Sequence, residues 1–343
     1  MRVGLLINRI DGDGGIQRNY RLWYELFKKK GLEVYLFVLN QPQLTKIDDK
    51  NIIFVDSISN LFRGIKLHQE IKKIGKFDLF LVNAEYMRPY LPKKEVSNYY
   101  ITVHNTWSKT LKQGLRRVKK LRKITKKYKN ENIIGISQSV IDDITKNLQI
   151  PIKSQRVIYA PHNFKNVKRL AQEIEIDENY IVSVGGLSKR KNYPLLINAF
   201  AKLSDKNLKL FIIGRGSQEE SLKELIKELK LEDRVKLLGF RENPYPYIKN
   251  AKVLVSSSLS EGLPRVIVEA MILDTPIVTT KSSEGIYEVM QEELTKFISS
   301  YSEDDLVSKI EMALKNYPEI KKEYYQKFDE DYSFEEFMKL TSN

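Results

Sequence analysis

Ser260-Glu261-Gly262-Leu263-Pro264-Arg265-Val266-Ile267-Val268-Glu269-Ala270-Met271 sets two carboxylates eight residues apart around a Gly-Leu-Pro turn. Just upstream, Ala251-Lys252-Val253-Leu254-Val255-Ser256-Ser257-Ser258 is a β-branched run that ends in small polar residues. Such a run reads as a buried parallel strand leaving its sheet. The turn leads into a helix, and Pro264 suits its first position, because the missing N–H would go unpaired there and the ring already sets a helical φ. A helix N-terminus at the carboxyl edge of a parallel sheet is an anion site, since unpaired N–H groups and the helix dipole both favour a phosphate. Glu269 lies about five residues into the helix, roughly 7 Å along it at ~1.5 Å per residue, where a ribose would present its hydroxyls. Glu261, in the preceding loop, can face a second polyhydroxy group across the diphosphate. Two glutamates alone would read as a capping carboxylate and an exposed helix charge; the Gly-Leu-Pro context favours the ligand reading.

Ahead of this segment, Tyr180-Ile181-Val182-Ser183-Val184-Gly185-Gly186-Leu187-Ser188-Lys189-Arg190-Lys191-Asn192 is a strand followed by a glycine pair and a basic turn. Leu210-Phe211-Ile212-Ile213-Gly214-Arg215-Gly216 and Val235-Lys236-Leu237-Leu238-Gly239-Phe240 are further strands with tight turns. Thr275-Pro276-Ile277-Val278-Thr279-Thr280 is a last strand, and Ser283-Glu284-Gly285-Ile286-Tyr287-Glu288 the loop after it. In this order, over about 110 residues, the pieces resemble the Glu-x7-Glu pattern and its companions in the retaining glycosyltransferases of family 4. That family has the GT-B fold, an α/β architecture of two Rossmann-like doubly wound parallel-sheet domains facing a cleft.

The resemblance implies roles. Lys191 falls on the diphosphate-binding lysine, Gly185 and Gly214 on turns at the donor, and Phe240 on the turn that holds the base through its backbone. Glu269 would hold the ribose and Glu261 hydroxyls of the donor sugar, with Gly262, Leu263 and Pro264 shaping the turn. Where the family usually carries an arginine this chain has Gly186, so one phosphate cation is unassigned; Arg190 and Lys189 are candidates to replace it. Asp274 stands for the common glycine before Thr275.

The N-terminal half is a looser match. Arg2-Val3-Gly4-Leu5-Leu6-Ile7 is a strand, and Asp11-Gly12-Asp13-Gly14-Gly15-Ile16-Gln17-Arg18 a glycine-rich loop entering a helix. Gly14 and Gly15 allow close backbone approach to a ligand and tolerate positive φ; a plain turn would need them equally. Tyr99-Tyr100-Ile101-Thr102-Val103-His104-Asn105 is a buried strand ending in a polar pair. His104 matches the family histidine that contacts the transferred sugar. Glu261, His104 and Lys191 are thus the residues expected at the reacting bond.

A chain of 343 residues is long enough for two cores. Strands near 2–7, 34–39, 52–55, 78–82, 99–103 and 132–136 alternate with helical stretches, and the pattern restarts at 180, which predicts parallel sheets covered on both faces. Domains are expected at 1–163 and 175–317, with a final helix, 318–341, crossing back onto the first. There are no cysteines, so disulfides, thiolate metal sites and cysteine nucleophiles are excluded. No run reaches about 18 apolar residues and the start is too short for a signal peptide, which points to a cytoplasmic protein.

The formal charge is +14, and Lys109 to Lys129 holds eleven Lys or Arg with no acidic residue. Its apolar members, Leu111, Leu115, Val118, Leu121, Ile124 and Tyr128, recur at helical spacing. Such a helix suits the anionic surface of a membrane, or it packs its stripe on the sheet and leaves its charges in water. No nucleic-acid recognition motif accompanies it. Asp11-Gly12-Asp13 and Asp329-Glu330-Asp331 are the Asp-x-Asp triplets, and neither adjoins the expected diphosphate site, so no metal and no cofactor is expected. The reading is a retaining hexosyltransferase that moves a sugar from a nucleotide sugar to a glycan or lipid-linked acceptor of a bacterial surface polysaccharide, peripheral on the inner membrane. UDP is the default donor nucleotide from the family. The rivals are a nucleotide-sugar epimerase of the same fold and a non-catalytic membrane-surface scaffold. A nicotinamide oxidoreductase is disfavoured, because no Gly-x-Gly-x-x-Gly follows either domain's first strand.

Overall fold

Mostly apolar strands of two to six residues alternate with helices along the described chain, and the computed structural model gathers them into two parallel sheets. It describes residues 1–11, 15–40, 49–108, 111, 115–261 and 263–341. Two units result, Met1–Pro161 with Glu330–Asn343, and His162–Asp329.

In the first unit the elements run β1 (Arg2–Ile7), α1 (Gly15–Lys29), β2 (Glu33–Val38), β3 (Ile52–Phe54), α2 (Asn60–Ile74), β4 (Leu79–Val82), β5 (Tyr99–Val103), α3 (Leu115–Tyr128), β6 (Asn132–Gly135), α4 (Gln138–Asp142) and β7 (Ser154–Val157). The described strands pair in parallel in the order β3-β2-β1-β4-β5-β6-β7. Val3, Leu5 and Ile7 face α1, where Tyr20, Trp23 and Phe27 are fully buried. Leu6 points the other way, onto Phe37, Phe80 and the Leu67 and Ile71 of α2. Gly4 sits on that second face because a Cβ there would lie 2.2 Å from the Phe80 ring. Ile101, Val103 and Ile133 continue the same face beneath Ile124 and Tyr128 of α3.

The second unit runs α5 (Phe164–Leu170), β8 (Tyr180–Val184), α6 (Tyr193–Lys202), β9 (Lys209–Ile213), α7 (Glu219–Glu228), β10 (Val235–Gly239), α8 (Tyr245–Lys249), β11 (Val253–Ser256), α9 (Arg265–Ile272), β12 (Ile277–Thr280), β13 (Ile298–Ser299), α10 (Glu303–Lys315) and α11 (Lys322–Tyr325). Its strand order is β10-β9-β8-β11-β12-β13, all parallel. The order reverses between β8 and β11, and in an open α/β sheet that is where a crevice opens beyond the carboxyl ends of the strands.

The expected C-terminal helix 318–341 is broken. α11 gives way to a 3₁₀ turn at Gln326–Phe328, Asp329 is extended, and α12 (Glu330–Met338) follows. The cause lies far upstream: the His162 N–H donates to the Phe328 carbonyl at 2.8 Å and His162 pairs with Asp329 as a parallel bridge, which takes that backbone out of a helix. Only α12 belongs to the first unit, where Phe337 packs edge-on against Trp23 (5.3 Å) and Phe27 (5.0 Å). The domain limits also move. α5 packs on α8 and α9, so the second unit opens at His162 rather than 175 and runs to Asp329 rather than 317.

Of the basic stretch, residues 109–110 and 112–114 lie outside the described residues. The apolar stripe of the rest largely serves the core, since Leu111, Ile124 and Tyr128 are buried against the sheet and Val118 is 46% exposed. Leu111, Ile124 and Tyr128 thus follow the sheet-packed alternative, while Lys119, Lys123 and Lys126 are exposed.

Candidate active site

At the reversal point, two loops are laced together. Gly185 follows β8, its N–H bound to the Ile213 carbonyl (2.9 Å), and the Leu187 N–H binds the Arg215 carbonyl (3.0 Å). Gly214, at φ +151, crosses so closely that a Cβ would lie 2.0 Å from the Gly185 carbonyl oxygen. The chain then makes a 3₁₀ turn, Lys189–Lys191, closed by Asn192 in the left-handed region, and enters α6. A Cβ on Gly185 would meet the Lys191 Cε at 2.9 Å, so glycine makes room for that ammonium stem. From the β11 side, the Ser257 hydroxyl donates to the Lys191 carbonyl (2.9 Å) and the Leu259 N–H to the Arg190 carbonyl (2.8 Å).

The three charged residues meet there. Lys191 Nζ lies 2.7 Å from Glu261 Oε1, Arg190 NH1 lies 2.7 Å from Oε2, and the Ser258 hydroxyl donates to Oε1 at 2.9 Å. Arg190 also donates to the Ser260 carbonyl (2.8 Å). The Glu261 side chain is only 11% exposed. Burial pushes its carboxyl up, yet the attraction of Lys191 and then Arg190 outweighs burial and holds it below the usual carboxylate range. Two cations focused on one anion form a compact basic cluster that can re-aim at a diphosphate.

Pro264 is one position short of the expected place. It is the N-cap, with φ −73 and ψ 111, and α9 starts at Arg265, because its carbonyl already accepts the Ile267 N–H (3.1 Å). Leu263 is half-buried and Gly262 lies outside the described residues. Glu269 is 5% exposed on the inner side of α9, so the exposed-charge reading fails. An ionisable neighbour is the buried His162, whose Nε2 lies 4.0 Å from Glu269 Oε1. No local signal marks His162, and sequence reasoning missed it. Arg215 was also passed over as a site residue. Its guanidinium lies 4.8 Å from the centre of the Phe240 ring, which is 56% exposed, so a cation and an aromatic form a platform at the ends of β9 and β10. Gly186 has only the Arg215 carbonyl near its Cβ position, at 3.7 Å.

The first unit holds His104 at the end of β5. It is buried among Tyr20, Trp23 and Asn19, with Nδ1 3.4 Å from the Asn19 amide nitrogen. An amide donated to Nδ1 leaves the proton on Nε2, which is buried and has no hydrogen-bond partner among the described residues. Burial lowers the imidazole pKa to about 3, so the ring is neutral. Below the unfolded value of ~6.5 the unfolded chain binds a proton that the folded chain refuses, until about pH 3. Stability is therefore full above pH ~6.5 and falls on acidification by roughly 1.4 kcal/mol per pH unit. Both tryptophans, Trp23 and Trp107, lie in this unit. Their fluorescence in urea titrations at pH 7 and pH 5 is expected to show the loss, and His104→Gln to flatten it. Gly14 lies outside the described residues, and Gly15 opens α1.

Of the acidic triplets, Asp11 pairs with Arg9, Glu330 with Lys29 and Asp331 with Lys30, and Asp13 lies outside the described residues. Among the described residues no group of three or more His, Asp or Glu is placed to hold a metal ion.

The fold is that of GT-B proteins. The structure of HepE from Anabaena in complex with UDP superposes with a TM-score of 0.80, covering 100% of both chains at 17% identity. Residues 164–331 match the family described as glycosyl transferases group 1, and the second unit is a domain of that family. In sequence, the chain is 35% identical over 162 residues to the N-acetylgalactosamine-N,N'-diacetylbacillosaminyl-diphospho-undecaprenol 4-alpha-N-acetylgalactosaminyltransferase of Campylobacter jejuni, covering 47% of this chain and 44% of the relative. It is 31% identical over 116 residues to the lipopolysaccharide core biosynthesis glycosyltransferase LpsE of Rhizobium meliloti, 34% of each chain. The chain thus spans less than half the length of these curated relatives.

Proposed function

We propose that this chain is a retaining glycosyltransferase of family 4, which moves a sugar from a nucleotide-diphosphate sugar, with UDP the first candidate, to a hydroxyl of a surface glycan or a lipid-linked acceptor. The observation that carries this reading is the convergence of Lys191 and Arg190 on Glu261 at the carboxyl ends of β8 and β11. In the transfer the bond between the anomeric carbon and the diphosphate oxygen breaks, the acceptor oxygen bonds that carbon on the same face, and the acceptor proton passes to the departing diphosphate. Negative charge grows on that leaving oxygen, and fixed cations aimed at it lower the barrier. Arg190 fills the role left open by Gly186. Once the cations turn to phosphate, Glu261 is released to accept hydroxyls of the sugar. Glu269 takes the ribose, and the Phe240 face with Arg215 suits a stacked base. His104, held neutral, offers Nε2 as a hydrogen-bonding atom without charge. No metal takes part in this reading.

UDP in the HepE complex and a diphospho-undecaprenol acceptor in the name of the Campylobacter relative support the donor and acceptor classes. No helix among the described residues is long and apolar enough to cross a membrane, and the basic outer side of α3 suits attraction to an anionic membrane surface. Calorimetric titration with UDP, GDP and ADP tests the reading. One diphosphate is expected to bind selectively, and Glu269→Ala to weaken it about 30-fold, the equivalent of ~2 kcal/mol for charged hydrogen bonds to a buried carboxylate. Absence of binding by all three would sink the proposal.

A further inference from the structure

The outward face of α2 is not covered by the rest of its unit. Ile58 is 98% exposed, Leu61 55%, Phe62 56% and Ile65 43%. At 100° per residue Leu61, Ile65 and Phe62 share one side of the helix, and Lys66, Lys72 and Lys73, also exposed, continue it toward the C-terminal end. The opposite side, Gly64, Leu67 and Ile71, is buried. Isolated exposed apolar residues are ordinary, but four large ones within eight positions, bordered by cations, mark an interaction surface.

This face is continuous with the basic helix. Phe80 pairs in register with Tyr99 and Val82 with Ile101, so α2 and α3 cover the same side of the sheet. The 3₁₀ segment Glu85–Tyr90 joins them. The Tyr90 ring fills the space where Gly64 lacks a side chain, while Arg88 donates to the Lys127 carbonyl (3.0 Å) and Glu85 pairs with the Lys127 ammonium. Each helix follows a parallel strand and runs back along the sheet, so both begin at its carboxyl edge, and the partly exposed Val118 of α3 lies at the same end as Leu61 and Phe62.

We propose that Ile58, Leu61, Phe62 and Ile65 insert into an anionic lipid bilayer, with Lys66 and Lys72 of α2 and Lys119, Lys123 and Lys126 of α3 lying over its headgroups, Lys73 being paired with Glu70 at 2.7 Å. Charge selects this occupant, because the cations flanking the apolar residues are complementary to an anionic headgroup layer. The apolar stripe of α3 is largely spent on the core, so α3 alone supplies attraction without insertion, and α2 provides the missing apolar anchor. The inference shares only the membrane location with the proposed transferase reaction and needs no nucleotide.

The chain has no cysteine, so Phe62→Cys carries one environment-sensitive fluorophore. The labelled chain is mixed, without donor, with vesicles of phosphatidylcholine alone or with phosphatidylglycerol. Binding to the anionic vesicles is expected, together with a blue shift of the label at position 62 on binding. Leu61→Ser, Phe62→Ser and Ile65→Ser combined should lower the partition coefficient by about tenfold or more, with an unchanged circular dichroism spectrum because all three side chains are exposed. Equal binding by the triple variant, a label unmoved on vesicles that the chain does bind, or no vesicle binding by the wild type would each overturn the proposal. A dimer that the triple variant dissolves, with vesicle binding unchanged, would assign the face to a second copy of the chain instead. Nucleotide titration is independent of every outcome.

Discussion

Lys191→Ala is expected to lower sugar transfer by about 10²–10³-fold, the usual loss when one preorganised group facing the developing charge is removed. The effect should fall on kcat more than on KM, because the ammonium gains most where negative charge grows on the leaving oxygen in the transition state. Arg190→Ala should cost less. Its side chain is 53% exposed against 15% for Lys191, and an interaction that water screens is worth less. Steady-state kinetics with the nucleotide sugar found by calorimetry separates the two. Lys191→Ala also leaves the buried Glu261 with one cation, so its melting temperature should drop, whereas an equal loss of activity in both variants would contradict the unequal geometry. Lys191→Arg is no rescue, because the Gly185 cradle fits a slender ammonium stem rather than a planar fork.

Gly214→Ala is expected to destabilise the second unit by about 3 kcal/mol or more, beyond the common range for a single substitution. Two causes add. The residue sits at φ +151, and its Cβ would lie 2.0 Å from a backbone oxygen that cannot rotate away. Relief requires the Gly185 loop to move, and with it Lys191, so the fraction that folds should also bind nucleotide poorly. Gly31→Ala is the control. At φ +76 with nothing within 4 Å it meets strain without collision, and about 1 kcal/mol is expected. Scanning calorimetry of the two variants checks the difference, and similar transitions in both would show that the crossing relaxes.

What the sequence made legible was chemistry that lies close along the chain. All-apolar runs such as Leu79–Val82 and Val253–Ser256 became central strands because both faces of a parallel sheet are covered. β7 escaped notice because Ser154–Val157 is polar and stands at a sheet edge, and β13 because two residues carry no periodicity. In the site, Glu261, Lys191 and Arg190 were each readable from their own loops, but their meeting was not, since it depends on β8 and β11 becoming neighbours across a crossover. Glu269 was readable as a motif, but its burial and its closeness to His162 belong to the folded unit. The break in the C-terminal helix has the same origin, since Asp329 leaves the helix to pair with His162 and no residue nearby announces it.

The placement of Phe337 against Trp23 and Phe27 sets an order of events during synthesis. Strands and helices up to Pro161 emerge from the ribosome with Trp23 and Phe27 of α1 not yet covered by Phe337, and the whole second unit must be translated before α12 arrives to cover them. Fully buried Phe337 and Leu340 are therefore late pieces of an early domain. A recombinant first half that ends at Pro161 would carry exposed aromatic surface and aggregate, whereas one that appends residues 330–341 through a short linker would carry its own lid.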